Sequence, residues 1–73
     1  MPLVAESLRA FAAAEKRSGL PPSVRDFGRE LGITSTPAYR RLLILEEGRY
    51  LRRSKKRGLR MWELTTKGKQ ALT

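Results

Sequence analysis

Sixteen lysines and arginines stand against seven acids in this 73-residue chain, and the excess is not spread evenly. Residues 1 to 38 hold five basic and four acidic side chains, net +1, whereas residues 39 to 73 hold eleven basic and three acidic, net +8. Seven of those eleven cations lie between Arg49 and Arg60 with no acid among them. Guanidinium forks and ammonium heads at such density match the oxygens of a polyanion, with arginine able to donate two parallel hydrogen bonds. Covalent chemistry has little to draw on. The chain has no cysteine and no histidine, so disulfides, thiolate nucleophiles, imidazole bases and the usual zinc ligands are all excluded. The remaining hydroxyls, lysines and carboxylates are scattered, and no catalysis, cofactor or metal is expected.

A charged share of 32% beside a hydrophobic share of 40% describes a folded domain with a small core and a busy surface. At this length one domain spanning 1–73 is expected, because small chains bury only about 60% of their unfolded surface. The longest apolar run is five residues, Ala10 to Ala14, too short for a membrane span or a signal-peptide core. A cytoplasmic, nucleoid-associated location is the expectation.

The elements that position the cations can be read from apolar spacing. Leu3, Val4, Leu8, Phe11 and Ala12 recur at three- and four-residue intervals and predict a first helix over Pro2 to Lys16. Gly19, Pro21 and Pro22 then interrupt it. Ser23 can cap a short second helix striped by Val24, Phe27 and Leu31, in which Gly28 leaves room for a neighbour. Gly32 supplies a turn, and a third helix opens at Ser35 or Thr36 with Pro37 near its first helical position. Beyond Gly48 the period becomes two. Tyr50 to Ser54 and Leu59 to Leu64 predict two strands around "KKRG", with Leu51, Trp62 and Leu64 on the core side, before Thr65 or Thr66 caps a last helix over Lys67 to Leu72.

Helix, short helix, tight turn, helix, basic hairpin and closing helix is the order of a winged helix-turn-helix, a mainly α fold with a small β-hairpin. On the third helix Ala38, Leu42 and Leu45 share one face. Thr36, Arg40 and Leu43 lie roughly opposite, with Tyr39 and Ile44 on the flanks. The outward N-terminal half of that helix is the expected reading face for double-stranded DNA, and the hairpin is the expected backbone contact.

The stretch "GLPPSVRDFGRELGI", with its paired prolines, Ser23 and Leu31-Gly32 turn, resembles the N-terminal domain of LexA repressors. "ITSTPAYRRLLILEE" and "WELTTKGKQAL" are similar to winged-helix regulators of the MarR type. These resemblances imply duplex-DNA binding, usually by dimers. They put Ser35, Thr36, Tyr39 and Arg40 in the major groove and the wing near the minor groove.

The candidate contacts are therefore Ser35, Thr36, Pro37, Tyr39, Arg40 and Arg41 on the helix, and Arg52, Arg53, Lys55, Lys56, Arg57 and Arg60 on the wing. Several have a second reading. Arg41 lies nearer the core edge and can pair with an acid instead. Tyr39 is either a phosphate-contacting hydroxyl or partly buried packing. Trp62 could stack on a base, but its alternation with Leu64 makes it a wall of the core. Glu46 and Glu47 either mark a turn towards a partner or solvate the helix end. Leu43 and Ile44 form either a homodimer or protein-partner patch or scattered exposure. Winged helices also serve as protein-interaction modules in transcription and replication machinery, and a basic protein can bind nucleic acid without sequence preference. The cation cluster favours sequence-specific DNA over the first of these alternatives.

A hairpin turn rich in cations contributes affinity to any duplex rather than discrimination. Replacing Lys55, Lys56 and Arg57 with alanine is expected to weaken binding to all duplexes and to flatten the salt dependence by about 0.9 logarithmic unit of slope for each phosphate that is no longer neutralised. Titrations across a salt series check this; an unchanged slope would remove the wing tip from the interface.

Overall fold

The computed structural model describes residues 2–54 and 61–72. Among them the order is α1 (Pro2–Ser18), α2 (Val24–Leu31), α3 (Ser35–Glu47), β1 (Leu51–Ser54), β2 (Met61–Leu64) and α4 (Thr66–Ala71). This is the mainly helical architecture with an antiparallel hairpin expected of a winged helix-turn-helix. The expected "KKRG" loop and the start of the second strand at Leu59 and Arg60 lie outside the described residues.

Helix α1 runs two residues past the expected Lys16. Gly19, at φ 77°, is where the chain leaves the helix, and its amide still donates to the Glu15 carbonyl at 2.7 Å. Leu8 and Phe11 are buried as expected, and the buried face also takes in Ala14 and the polar Ser7. Helix α2 begins as its sequence requires, with the Ser23 hydroxyl accepting from the Asp26 amide at 3.1 Å. Phe27 on α2 meets Phe11 on α1 with tilted rings 6.0 Å apart.

The turn between α2 and α3 is a backbone device. Gly32 adopts φ 72° and donates to the Arg29 carbonyl at 3.2 Å, while the Ile33 amide reaches back to Gly28 at 2.9 Å, a Schellman closure. Gly28 is needed for a second reason, because a Cβ there would sit 2.9 Å from the Ile33 carbonyl oxygen and 3.2 Å from the Ala38 Cβ. The two helices of the motif meet at that point.

Helix α3 ends with the same closure and a different residue. The Tyr50 amide donates to Leu45 and the Arg49 amide to Glu46, both at 2.9 Å, but the left-handed position falls on Arg49, at φ 66°, one residue past Gly48. The hairpin then pairs Leu51 with Leu64, Arg52 with Glu63, Arg53 with Trp62 and Ser54 with Met61. Strand β1 starts at Leu51 rather than Tyr50, whose carbonyl instead accepts from the Thr65 amide at 3.1 Å. Thr65 caps α4 by accepting from the Gly68 amide, and its hydroxyl donates to the Arg49 carbonyl at 2.7 Å. The core is one cluster built from Leu8, Phe11, Phe27, Ala38, Leu42, Leu45, Leu51 and Trp62.

Two glycine exchanges test these backbone roles. Gly28→Ala is expected to destabilise the protein by about 1 to 3 kcal/mol, since backbone must move to admit the methyl group. Arg49→Gly is expected to stabilise it by about 1 kcal/mol by relieving the left-handed position, which in a domain this small raises the melting temperature by about 4 to 8 °C. Thermal unfolding followed by circular dichroism checks both signs.

Candidate nucleic-acid interface

The N-terminal half of α3 is open away from its buried stripe. Ala38, Leu42 and Leu45 are at most 1% exposed, whereas Ser35, Thr36, Pro37, Tyr39 and Arg40 are all exposed. Arg40 has no hydrogen-bond or ion-pair partner among the described residues, so its guanidinium is free to meet a ligand. Thr34, the residue before the helix, makes no side-chain bond to the first turn, unlike Ser23 and Thr65 at the starts of α2 and α4. The first-turn amides of Ser35 and Thr36 therefore receive no bond from the Thr34 side chain, at the end of the helix where the dipole favours negative charge.

Other candidate cations already have partners. Of the two readings of Arg41, the structure has the ion pair: its Nη1 lies 2.7 Å from a Glu6 carboxylate oxygen and 3.3 Å from the buried Ser7 hydroxyl. That contact ties α3 to α1. Arg52 stands directly across the hairpin from Glu63, with Nε 2.7 Å from the carboxylate, and remains largely exposed. A cross-strand pair of this kind contributes about 0.2 to 1 kcal/mol and leaves the guanidinium able to exchange its carboxylate for a phosphate.

Arg53 is placed differently from the rest of the wing. Strand alternation puts it two residues after Leu51 and directly across from Trp62, on the inner side of the hairpin. Its guanidinium lies 5.0 Å from the Trp62 ring centroid. Its Nε is 3.1 Å from Glu46 on α3, and its Nη2 donates to the Tyr39 hydroxyl at 3.5 Å, the outer limit for such a bond. The Tyr39 hydroxyl, together with the Glu46 charge, raises the Arg53 pKa above its ordinary value. Tyr39 also meets Trp62 edge-on, with centroids 5.8 Å apart. Of the two readings of Tyr39, the packing is what is seen, since the ring meets Trp62, while the residue remains 40% exposed. Trp62 is a core wall as expected, 5% exposed, and its buried Nε1 finds no acceptor among the described residues.

Two structural roles are not evident from the sequence. Glu46 belongs to the Arg53 contact rather than merely solvating the helix end. Lys67 donates to the Gly48 carbonyl at 2.8 Å and lies 4.6 Å from the Tyr50 ring centroid, so α4 places a cation on the C-terminal end of α3. The Arg53 placement was available from parity, because Leu51 and Arg53 must share a strand face. The Lys67 placement had no local signal, as it joins residues 19 apart.

Lys55, Lys56, Arg57 and Arg60 lie outside the described residues. Ile44 is 43% exposed, whereas Leu43 is half-buried. Among the described residues no helix is long and apolar enough to cross a membrane.

The chain is similar to LexA repressors of two Frankia species. It is 46% identical to that of Frankia casuarinae over 59 residues, 80% of this chain and 23% of the relative. It is 45% identical to that of Frankia alni over 51 residues, 68% of this chain and 20% of the relative. The chain thus matches less than a quarter of the length of either protein. No family model matches it, and no solved structure matches it.

Proposed function

We propose that this chain is the DNA-binding module of a transcriptional regulator, in which residues 1–73 act as one unit and helix α3 reads the major groove of a specific duplex sequence. The observation that carries the reading is the division of α3. One stripe is wholly buried, and the exposed N-terminal half presents Ser35, Thr36, Tyr39 and Arg40, the last without a partner among the described residues, immediately after a tight helix-to-helix turn. That is the geometry by which a second helix enters a groove N-terminus first. The similarity to proteins named as repressors supports the same direction.

In this reading binding is the whole mechanism. Ser35 and Thr36, at the uncapped start of the helix, hold phosphates at the rim of the groove, which fixes the register of the helix on the duplex. Arg40, one turn further on, reaches base edges and favours guanine, whose O6 and N7 accept its two parallel donors. The wing cations other than Arg53 lie along the backbone and contribute a sequence-independent, salt-sensitive attraction, with Arg52 exchanging Glu63 for a phosphate.

Selection of bound duplexes from a random library at a fixed salt concentration identifies the preferred site, and a palindrome among them would indicate a dimer. On that site Arg40→Ala is expected to lose about 1 to 3 kcal/mol of binding, with far less loss on random duplex and relaxed preference at one base position per half-site. Equal losses on both DNAs would make Arg40 a phosphate contact. No loss on either, with the fold intact by circular dichroism, would mean that α3 is not the reading element.

A further inference from the structure

Of the two described members of the wing's charge run, Arg53 points the wrong way for a phosphate contact. Arg52 and Arg53 are adjacent in sequence and therefore face opposite sides of the hairpin. Arg52 is on the outer side with a side chain 70% exposed; Arg53 is on the inner side with a side chain 34% exposed. Arg53 touches three residues on two elements: Trp62 across the hairpin, and Glu46 and Tyr39 on α3. Glu46 and Tyr39 are seven residues apart, two helical turns, so side chains from two turns of the helix that carries the proposed reading face converge on one guanidinium.

We infer that Arg53 is a positioning residue, which fixes the angle between the wing and helix α3 by bridging Trp62 to Glu46 and Tyr39, and that it serves DNA recognition through this geometry and not through a phosphate. The inference rests on the DNA-binding reading above. A duplex is a rigid template, and two elements that must lie in neighbouring grooves engage it together only if their relative angle is set beforehand. The hairpin has no other described ion pair to α3. Arginine suits the role because its planar group stacks on the indole while its edge donates to the carboxylate and the phenol, which a lysine ammonium cannot do at once. Tyr39 ties the bridge to the exposed N-terminal half of α3, on the flank beside the proposed reading face.

The two roles for Arg53 predict opposite results for one exchange. Removing the Glu46 carboxylate takes a negative charge away from a polyanion site, so simple electrostatics predicts tighter binding by Glu46→Gln, and more so if it frees Arg53 for a phosphate. Positioning predicts weaker binding. The experiment uses Glu46→Gln, Arg53→Lys and Arg53→Ala, titrated with the selected duplex across a salt series, together with emission from Trp62, the sole tryptophan of the chain. Glu46→Gln preserves shape and remains informative should Arg53→Ala fail to fold.

The expected result is that Glu46→Gln and Arg53→Lys both shift Trp62 emission and both lose about 3- to 30-fold in affinity for the selected duplex, with the wild-type salt slope kept. Tighter binding by Glu46→Gln overturns the inference. So does full affinity in Arg53→Lys combined with a slope about 0.9 unit flatter in Arg53→Ala, which is the signature of a phosphate contact. Unchanged Trp62 emission in Glu46→Gln and Arg53→Lys overturns the bridge in the free protein, whatever the DNA result. A wild-type chain that prefers no duplex overturns the DNA-binding reading first, before any variant is made.

Discussion

Burial of the Ala38, Leu42 and Leu45 stripe is the constraint on which the other features depend. A helix of 13 residues with one completely buried stripe has no rotational freedom left, because turning it by a single residue would move about 100° of apolar surface into water. Each buried leucine contributes about 1.5 to 3 kcal/mol, a large share of what a domain this small can have in total. The same burial that holds α3 to the core therefore aims Ser35, Thr36 and Arg40 outward. Orientation of the proposed reading face is a by-product of packing and needs no separate device.

The helix ends convert that rotation into a position along the helix axis. Gly32 turns the chain between α2 and α3 in three residues, and the missing side chain at Gly28 lets α3 approach until Ala38 touches α2. At the far end Arg49 carries the left-handed turn, while Thr65 and Lys67 from the closing segment satisfy carbonyls at Gly48, Arg49 and Tyr50. Helix α4 is only six residues long, yet it secures the junction where α3 becomes the wing.

Charge is sorted by the same packing. Of the cations after residue 38, Arg41 joins α3 to α1, Lys67 holds the end of α3, and Arg53 makes the contact between wing and helix. Arg40, by contrast, faces solvent with no described partner. The described cations thus divide into those that pair within the fold and those, such as Arg40, that do not. Neighbours in sequence fall on different sides of that division, as Arg40 and Arg41 do on the helix and Arg52 and Arg53 on the strand.

Local spacing was enough for the elements and for the direction of α3. Apolar residues three and four apart can share a helix face only one way, a capping serine and a glycine after the last turn declare their ends, and a change to period two declares a hairpin. The exposed candidates Ser35, Thr36, Pro37, Tyr39 and Arg40 were legible for that reason. The extra length of α1, the left-handed Arg49 and the buried Ser7 were not, because each depends on what the backbone does after the pattern stops. The partners of Arg41, Arg53 and Lys67 were decided only by tertiary structure. Glu6, Glu46 and the Gly48 carbonyl lie 35, 7 and 19 residues from them, and a long cationic side chain has no preference among distant acceptors until the core brings one within about 3 Å.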